Sequence, residues 1–192
     1  MAAEPIALFQ KWLQEAVDSG IEEPTAMTVA TVDADGHPDA RILLLKSADE
    51  RGFVFYTNME SPKGQALRRD PRVALCFYWM PLDRQVRIRG RAEVVSDEEA
   101  DAYFATRARL SQISAWASKQ SRPMQGYFEL EAEVAKAALR FGLAKISRPP
   151  FWSGFRVVLE RIEFWTQKPF RRHHRILYTL TNDGWQTQWL YP

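Results

Sequence analysis

The run VALCFYW (Val73–Trp79) and the run QVRIRGRAEVV (Gln85–Val95) flank the turn Met80-Pro81-Leu82-Asp83. Their β-branched and aromatic content, with a proline between them, predicts two long strands. In the second run, Gln85, Arg87, Arg89 and Arg91 alternate with Val86 and Ile88, giving one apolar and one strongly basic face. Working outward, Met27–Val32, Ala40–Lys46 and Phe53–Thr57 are shorter strands, the first two joined by the turn Asp33-Ala34-Asp35-Gly36. Toward the C-terminus, Phe155–Trp165, Arg175–Leu180 and Trp185–Leu190 are strands, the last two joined at Asn182-Asp183-Gly184.

Helices fill the gaps. Pro5 opens one over residues 5–19, with Leu8, Phe9, Trp12, Leu13, Ala16 and Val17 on one face and Gly20 after it. Ser61-Pro62 reads as N-cap and first residue of a short helix ending near Asp70. Ser96-Asp97-Glu98-Glu99 has the capping-box pattern and opens a helix through about Arg107. Residues 110–118 and 127–142 are helical in pattern, and Ser121–Pro150 suits either a loosely ended helix or a surface segment. Mostly antiparallel strands with peripheral helices predict an α+β chain built on a β-barrel, one domain over 1–192.

Net charge is +2, so charge alone points to neither nucleic acid nor membrane. One cysteine, Cys76, cannot form an intramolecular disulfide, and its apolar run predicts an inert thiol in a reducing compartment. The start Met1-Ala2-Ala3-Glu4-Pro5 lacks the basic and apolar regions of a secretion signal, and no apolar run has membrane-spanning length. A cytoplasmic location is expected. There is no G-x-G-x-x-G or Walker loop, so any phosphate must be held by side-chain cations and hydroxyls. The three histidines show no metal-ligand spacing, and no metal is expected.

Five constellations remain. Arg41-Ile42-Leu43-Leu44-Leu45-Lys46 brackets four apolar residues with two cations, as in a central strand buried on both faces. The charges stand roughly 17 Å apart with opposite parity, so they serve two anions or simply reach water from the strand ends. Tyr103, Arg107 and Ser111 would share one side if the helix opened at Ser96 ran unbroken to Ser111, and all can donate to a phosphate. Thr57, Ser61 and Lys63 lie where a strand ends and a helix begins, which favours an anion. The Gln85–Arg91 face is by default solvated. In Arg171-Arg172-His173-His174-Arg175, alternation turns Arg171, His173 and Arg175 one way, near Trp165, and Arg172 and His174 the other. Each has a bland structural explanation when taken alone.

Their order is more telling. RILLLK at Arg41–Lys46, FYTN at Phe55–Asn58, RQV at Arg84–Val86, SQI at Ser111–Ile113, ASKQS at Ala117–Ser121, FWSGFRV at Phe151–Val157, IEFW at Ile162–Trp165 and the closing Arg171-x-His173-x-Arg175 form one series. From about Pro5 to Pro192 the chain resembles the pyridoxine/pyridoxamine 5'-phosphate oxidase family. The resemblance implies a split-barrel homodimer with FMN at the subunit interface, and oxidation of a phosphorylated B6 amine or alcohol by hydride transfer from C4' to flavin N5, dioxygen giving hydrogen peroxide. It implies FMN contacts at Arg41, Ile42, Leu43, Leu44, Leu45, Lys46, Tyr56, Thr57, Lys63, Gln85, Gln120, Ser121, Trp165 and Arg175. Lys46, Tyr103, Arg107 and Ser111 would surround the substrate phosphate. Arg171 and His173 would pin its ring with Arg172 beside them, neither being an obligatory general base. Residues 151–192 would complete the site.

Four departures from the family pattern stand out. Pro62 replaces a cation, Ser153 a glycine, Arg172 and His174 add basicity, and with the resemblance starting near Pro5 no N-terminal arm over the substrate is expected. The rival expectations are a flavin oxidase of another substrate, as in phenazine biosynthesis, and a flavin-binding or nucleic-acid-binding module without turnover. The Lys46, Tyr103, Arg107 and Ser111 set speaks against the first, because a substrate without phosphate gives it no purpose.

Overall fold

The computed structural model describes residues 5–192; Met1–Glu4, read above for a leader, lie outside them. In chain order the elements are α1 (Pro5–Asp18), β1 (Ala26–Val32), β2 (Pro38–Leu44), β3 (Ser47–Asp49), β4 (Gly52–Asn58), α2 (Pro62–Arg69), β5 (Arg72–Trp79) and β6 (Arg84–Val94). Then follow α3 (Asp97–Thr106), α4 (Arg109–Ala117), α5 (Glu129–Phe141), β7 (Trp152–Thr166), β8 (His174–Thr181) and β9 (Gly184–Trp189).

The predicted hairpin is the centre of the sheet. β5 and β6 pair from Arg72↔Arg91 to Trp79↔Arg84, around a 3-10 turn at Met80–Leu82 whose Asp83 is left-handed at φ 54°. Strand order runs β2-β1-β5-β6-β7-β4-β3, and every strand pairing among the described residues is antiparallel. β7 is the spine. Its first half lies between β6 and β4, and its second half between β6 and β8. The divergence follows a bulge at Arg89/Gly90, where a Cβ on Gly90 would stand 2.0 Å from the Val158 carbonyl oxygen. Only glycine lets β6 approach β7 so closely.

α1 closes the main core. Phe9 is fully buried, with Phe53 and Phe77 edge-on to it at 4.5 and 5.0 Å between ring centroids. Removing such a ring from water stabilises the fold by about 2–3 kcal/mol. Leu8, Trp12 and Leu13 pack at the margin as the periodicity predicts, but Val17 is 48% exposed beside the fully buried Ala16. A second core of Phe104, Ile113, Ile146 and Trp152 lies under α3–α5.

Three expectations are corrected. β2 is an edge strand rather than a central one, and Ile42 and Leu44 are exposed. It pairs only with β1, so only alternate residues (Arg41, Leu43) gain partial cover, and Lys46 lies beyond its end. The helix opened at Ser96 ends near Arg107 as expected, so the continuous helix that would put Tyr103, Arg107 and Ser111 on one side does not form. Arg107 and Ala108 are extended (ψ 146° and 140°), and the Gln112 side chain donates to the Phe104 carbonyl at 2.9 Å, satisfying an end that would otherwise propagate. The alternation assumed from Arg171 to Arg175 fails because residues 169–171 form a 3-10 turn with Phe170 and Arg171 left-handed at φ 59° and 58°.

The capping box at Ser96 is half realised. Ser96 Oγ accepts from the Glu99 N–H, while the Glu99 carboxylate leaves the cap for Arg156, which donates to it at 2.6 and 2.8 Å. Arg148 grips the same helix through Asp97 and Asp101, at 2.6 Å each, and donates to the Trp152 carbonyl at 2.7 Å. Two arginines thus fix α3 over β7. No helix among the described residues is long and apolar enough to cross a membrane.

Candidate functional site

The junction of β4 and α2 gathers the first set of polar groups. Ser61 caps α2, accepting from the Gly64 N–H, and Pro62 occupies the first turn, as expected. Gly64 is required here: a Cβ would lie 2.7 Å from the carbonyl oxygens of Asn58 and Met59. That close approach buries Lys63, whose ammonium donates to Gln120 Oε1 at 2.8 Å and to Thr57 Oγ1 and Ser61 Oγ at 3.3 Å. All three partners are neutral oxygens. Burial, with Arg41 nearby, lowers the Lys63 pKa, and Asp39 opposes this only in part. Arg41 donates to the Val29 carbonyl at 3.0 Å and to Thr31 Oγ1 at 2.9 Å, and pairs with Asp39. A buried cation among neutral oxygens, with a guanidinium nearby, has the chemistry that favours an anion.

Beside it opens a cavity of about 280 Å³ whose lining includes Lys46, Tyr103, Arg107 and Ser111, with Thr57 and Gln120 shared with the first set. The sequence predicted those four residues together, and they do meet. The helix break, rather than a common helical face, brings Arg107 there, with its guanidinium 4.8 Å over the Trp152 ring and 5.6 Å over that of Phe104. Its Nη1 is buried without a hydrogen-bond partner, and burial lowers the pKa of the group.

The cavity wall is a stack the sequence did not announce. Tyr56 and Tyr103 lie 4.0 Å apart at 9°, and Tyr56 and Trp152 lie 5.2 Å apart at 6°. Burial first, then Glu99 and Tyr103, push the Tyr56 hydroxyl up to about 12, so the phenol stays protonated as a donor. Gly154 sits under the Tyr56 ring, where a Cβ would meet two ring carbons at 2.8 Å. Gly154→Ala is therefore expected to tilt Tyr56 off Tyr103 and cost about 1–3 kcal/mol, seen as a lower melting temperature with altered near-ultraviolet circular dichroism.

A third set lies elsewhere. Gln85, Trp165 and Arg175 are register partners across β6, β7 and β8, so they form one row on one face. Arg175 donates to Glu163 at 2.8 Å and to the Tyr191 carbonyl at 2.9 Å, and its bond to Glu163 raises its pKa. His173 packs against Trp165 at 4.7 Å, and its Nδ1 accepts the Lys168 N–H at 3.2 Å. Arg171 and Arg172 are exposed on the left-handed turn. None of this set lines the cavity of Arg107. Of residues 41–46, Leu43 and Lys46 line that cavity, Arg41 acts on Lys63, and Leu45 belongs to the core. Ser121, left-handed at φ 67°, lines a smaller neighbouring pocket with Gln120.

Comparison with known proteins bears on both regions. Residues 13–141 match the family model described as pyridoxamine 5'-phosphate oxidase, and 152–192 match that of the pyridoxine 5'-phosphate oxidase C-terminal dimerisation region. The chain is 55% identical to the pyridoxine/pyridoxamine 5'-phosphate oxidase of Azorhizobium caulinodans, covering 100% of this chain and 91% of that one. It is also 55% identical to that of Caulobacter vibrioides, covering 98% and 85%. Among solved structures, PhzG from Burkholderia lata 383, in complex with tetrahydrophenazine-1-carboxylic acid, superposes with a TM-score of 0.93 at 32% identity over 98% of this chain and 93% of its own. A pyridoxamine 5'-phosphate oxidase-related, FMN binding protein from Nostoc punctiforme shares the fold, with a TM-score of 0.78 at 16% identity over the full length of both chains.

Proposed function

The chain belongs to the pyridoxamine 5'-phosphate oxidase family, and from that premise we infer that it binds FMN and oxidises pyridoxamine or pyridoxine 5'-phosphate to pyridoxal 5'-phosphate. Dioxygen is the acceptor and hydrogen peroxide the product. The observation that carries this reading is Arg107, half-buried, with a buried and unpartnered Nη1 at a cavity it shares with Lys46, Tyr103 and Ser111. A phosphate dianion satisfies all four donors.

The Lys63 cluster suits the phosphate of FMN. Thr57, Ser61 and Lys63 would hold it, with Arg41 adding charge, and Gln120 would link this pocket to the next. When bound, the flavin supplies the two-electron acceptor chemistry. The protein's own residues bind and orient. With one phosphate at Lys63 and another at Arg107, the substrate's C4' is held at a fixed place, and the Tyr56–Tyr103–Trp152 wall keeps water from that side. Proximity and orientation of this kind account for much of an enzyme's rate.

The third set enters from a partner. The match to a dimerisation region supports a homodimer, and we place the Gln85, Trp165 and Arg175 row of one chain against the FMN held by the other. Exposed Ile42 and Leu44 on the edge of β2 are the apolar surface such a partner would cover. Arg171, Arg172 and His173 would then meet the substrate ring. Because His173 Nδ1 accepts the Lys168 N–H, a neutral His173 carries its proton on Nε2 as a donor. In this arrangement the whole chain is one FMN-binding unit, with residues 151–192 completing the site across the dimer. The cytoplasm is the setting that a single, half-buried cysteine suits.

The similarity to PhzG raises a phenazine-type substrate as the rival, and the phosphate-seeking set around Arg107 favours the B6 reading. Adding pyridoxamine 5'-phosphate to the yellow protein should release peroxide, and adding it without oxygen should bleach the flavin absorbance. Equal bleaching by pyridoxamine without its phosphate, or none by either, would contradict the assignment.

A further inference from the structure

Ser153 is an orphan among these groups. It is 6% exposed, and its Oγ is buried without a hydrogen-bond partner. In the β4–β7 pairing it stands directly opposite Thr57. The face it uses is fixed by its neighbours: a Cβ at Gly154 would point into the Tyr56 ring, and Phe155 packs with Phe55 in the main core. Side chains alternate along a strand, so Ser153 projects on the face of Phe55 and Thr57, away from Tyr56. Directly paired residues of an antiparallel ladder hold their Cβ atoms about 5 Å apart, and Thr57 Oγ1 accepts from the Lys63 ammonium at 3.3 Å.

We propose that the Ser153 hydroxyl is a further ligand of the phosphate held at Lys63 and Thr57, donating a hydrogen bond to it. This rests on the reading of that pocket as the FMN phosphate site and adds a donor from β7 to those from β4 and α2. A buried hydroxyl with nothing to bond weakens the empty protein and finds its partner only when the phosphate arrives. The same side chain therefore acts in opposite directions in the two states.

The test is Ser153→Ala, followed by two readouts. Thermal melting of the flavin-free variant should give a midpoint equal to or above that of the unaltered protein. Titration of flavin fluorescence should show FMN binding weakened about tenfold, the range of a hydrogen bond to a charged group, with riboflavin, which lacks the phosphate, bound equally by both. Unchanged FMN affinity would overturn the proposal. Equal weakening toward riboflavin and FMN would overturn it too, since the effect would not belong to the phosphate. A lower melting point of the flavin-free variant would show that the hydroxyl already has a structural partner and would also count against it. Failure of the unaltered protein to bind FMN would instead sink the reading of the pocket, and this inference with it.

Discussion

Arg107→Met is expected to lower kcat/KM for pyridoxamine 5'-phosphate by about 10²–10³-fold while leaving FMN bound, the range for removing one partner of a buried, hydrogen-bonded charge pair. Arg107 is the most committed of the four donors, since the Trp152 and Phe104 rings beneath it give its buried Nη1 no bond. Methionine retains most of the stem's apolar contact and removes the charge, so the flavin-free protein should melt no lower than before. Turnover of a non-phosphorylated amine should fall far less. Lys46→Met should act in the same direction with a smaller effect, because Lys46 is exposed at the cavity mouth. Steady-state kinetics with both substrates and a flavin titration check all of this. Loss of flavin from either variant would contradict the separation of the two phosphate pockets.

Lys63→Met should act on the other pocket, weakening FMN about a hundredfold and stabilising the flavin-free protein. The ammonium is buried among neutral oxygens, and burial lowers its pKa from the ordinary 10.5. In the window between the lowered folded value and 10.5 the unfolded chain binds more protons than the folded one. Stability of the flavin-free protein therefore rises as pH climbs through that window, and falls as pH drops through the folded pKa. A bound phosphate dianion keeps the proton on Lys63, so the flavin-loaded protein should lose this dependence, and FMN affinity should decline at alkaline pH. Denaturant melts across that range, with and without FMN, measure the difference. The Lys63→Met variant should show a flatter profile in both states.

The strands and their order in the chain were legible because each carries its own pattern, and the Val73–Val95 hairpin needs nothing from outside it. The position of β2 was not. Ile42, Leu43 and Leu44 read as doubly buried, yet strand order puts them at an edge, and in the proposed dimer the exposed Ile42 and Leu44 face another chain, while Leu45 turns into the core. The end of α3 near Arg107 was expected, but not the way it is held. Ala105-Thr106-Arg107-Ala108 has no glycine or proline, and the Phe104 carbonyl accepts from both the Arg107 N–H and the Gln112 side chain of the next helix. Left-handed Phe170 and Arg171 escaped because such conformations are rare outside glycine, and both residues lie exposed on their turn. The four residues expected around a substrate phosphate still converge, because the residue types required by an anion outweigh the detail of the backbone carrying them. The aromatic wall of Tyr56, Tyr103 and Trp152 joins three distant segments, and no spacing within any one of them reveals it.

A crystal structure of the flavin-loaded protein with pyridoxal 5'-phosphate would decide the matter most directly. It should show two phosphoryl groups, one among Lys63, Thr57 and Ser61 and the other bonded to Arg107 Nη1 with Lys46 and Ser111. A single pocket occupied by both phosphates, or an Arg107 still unpartnered beside bound product, would overturn the account.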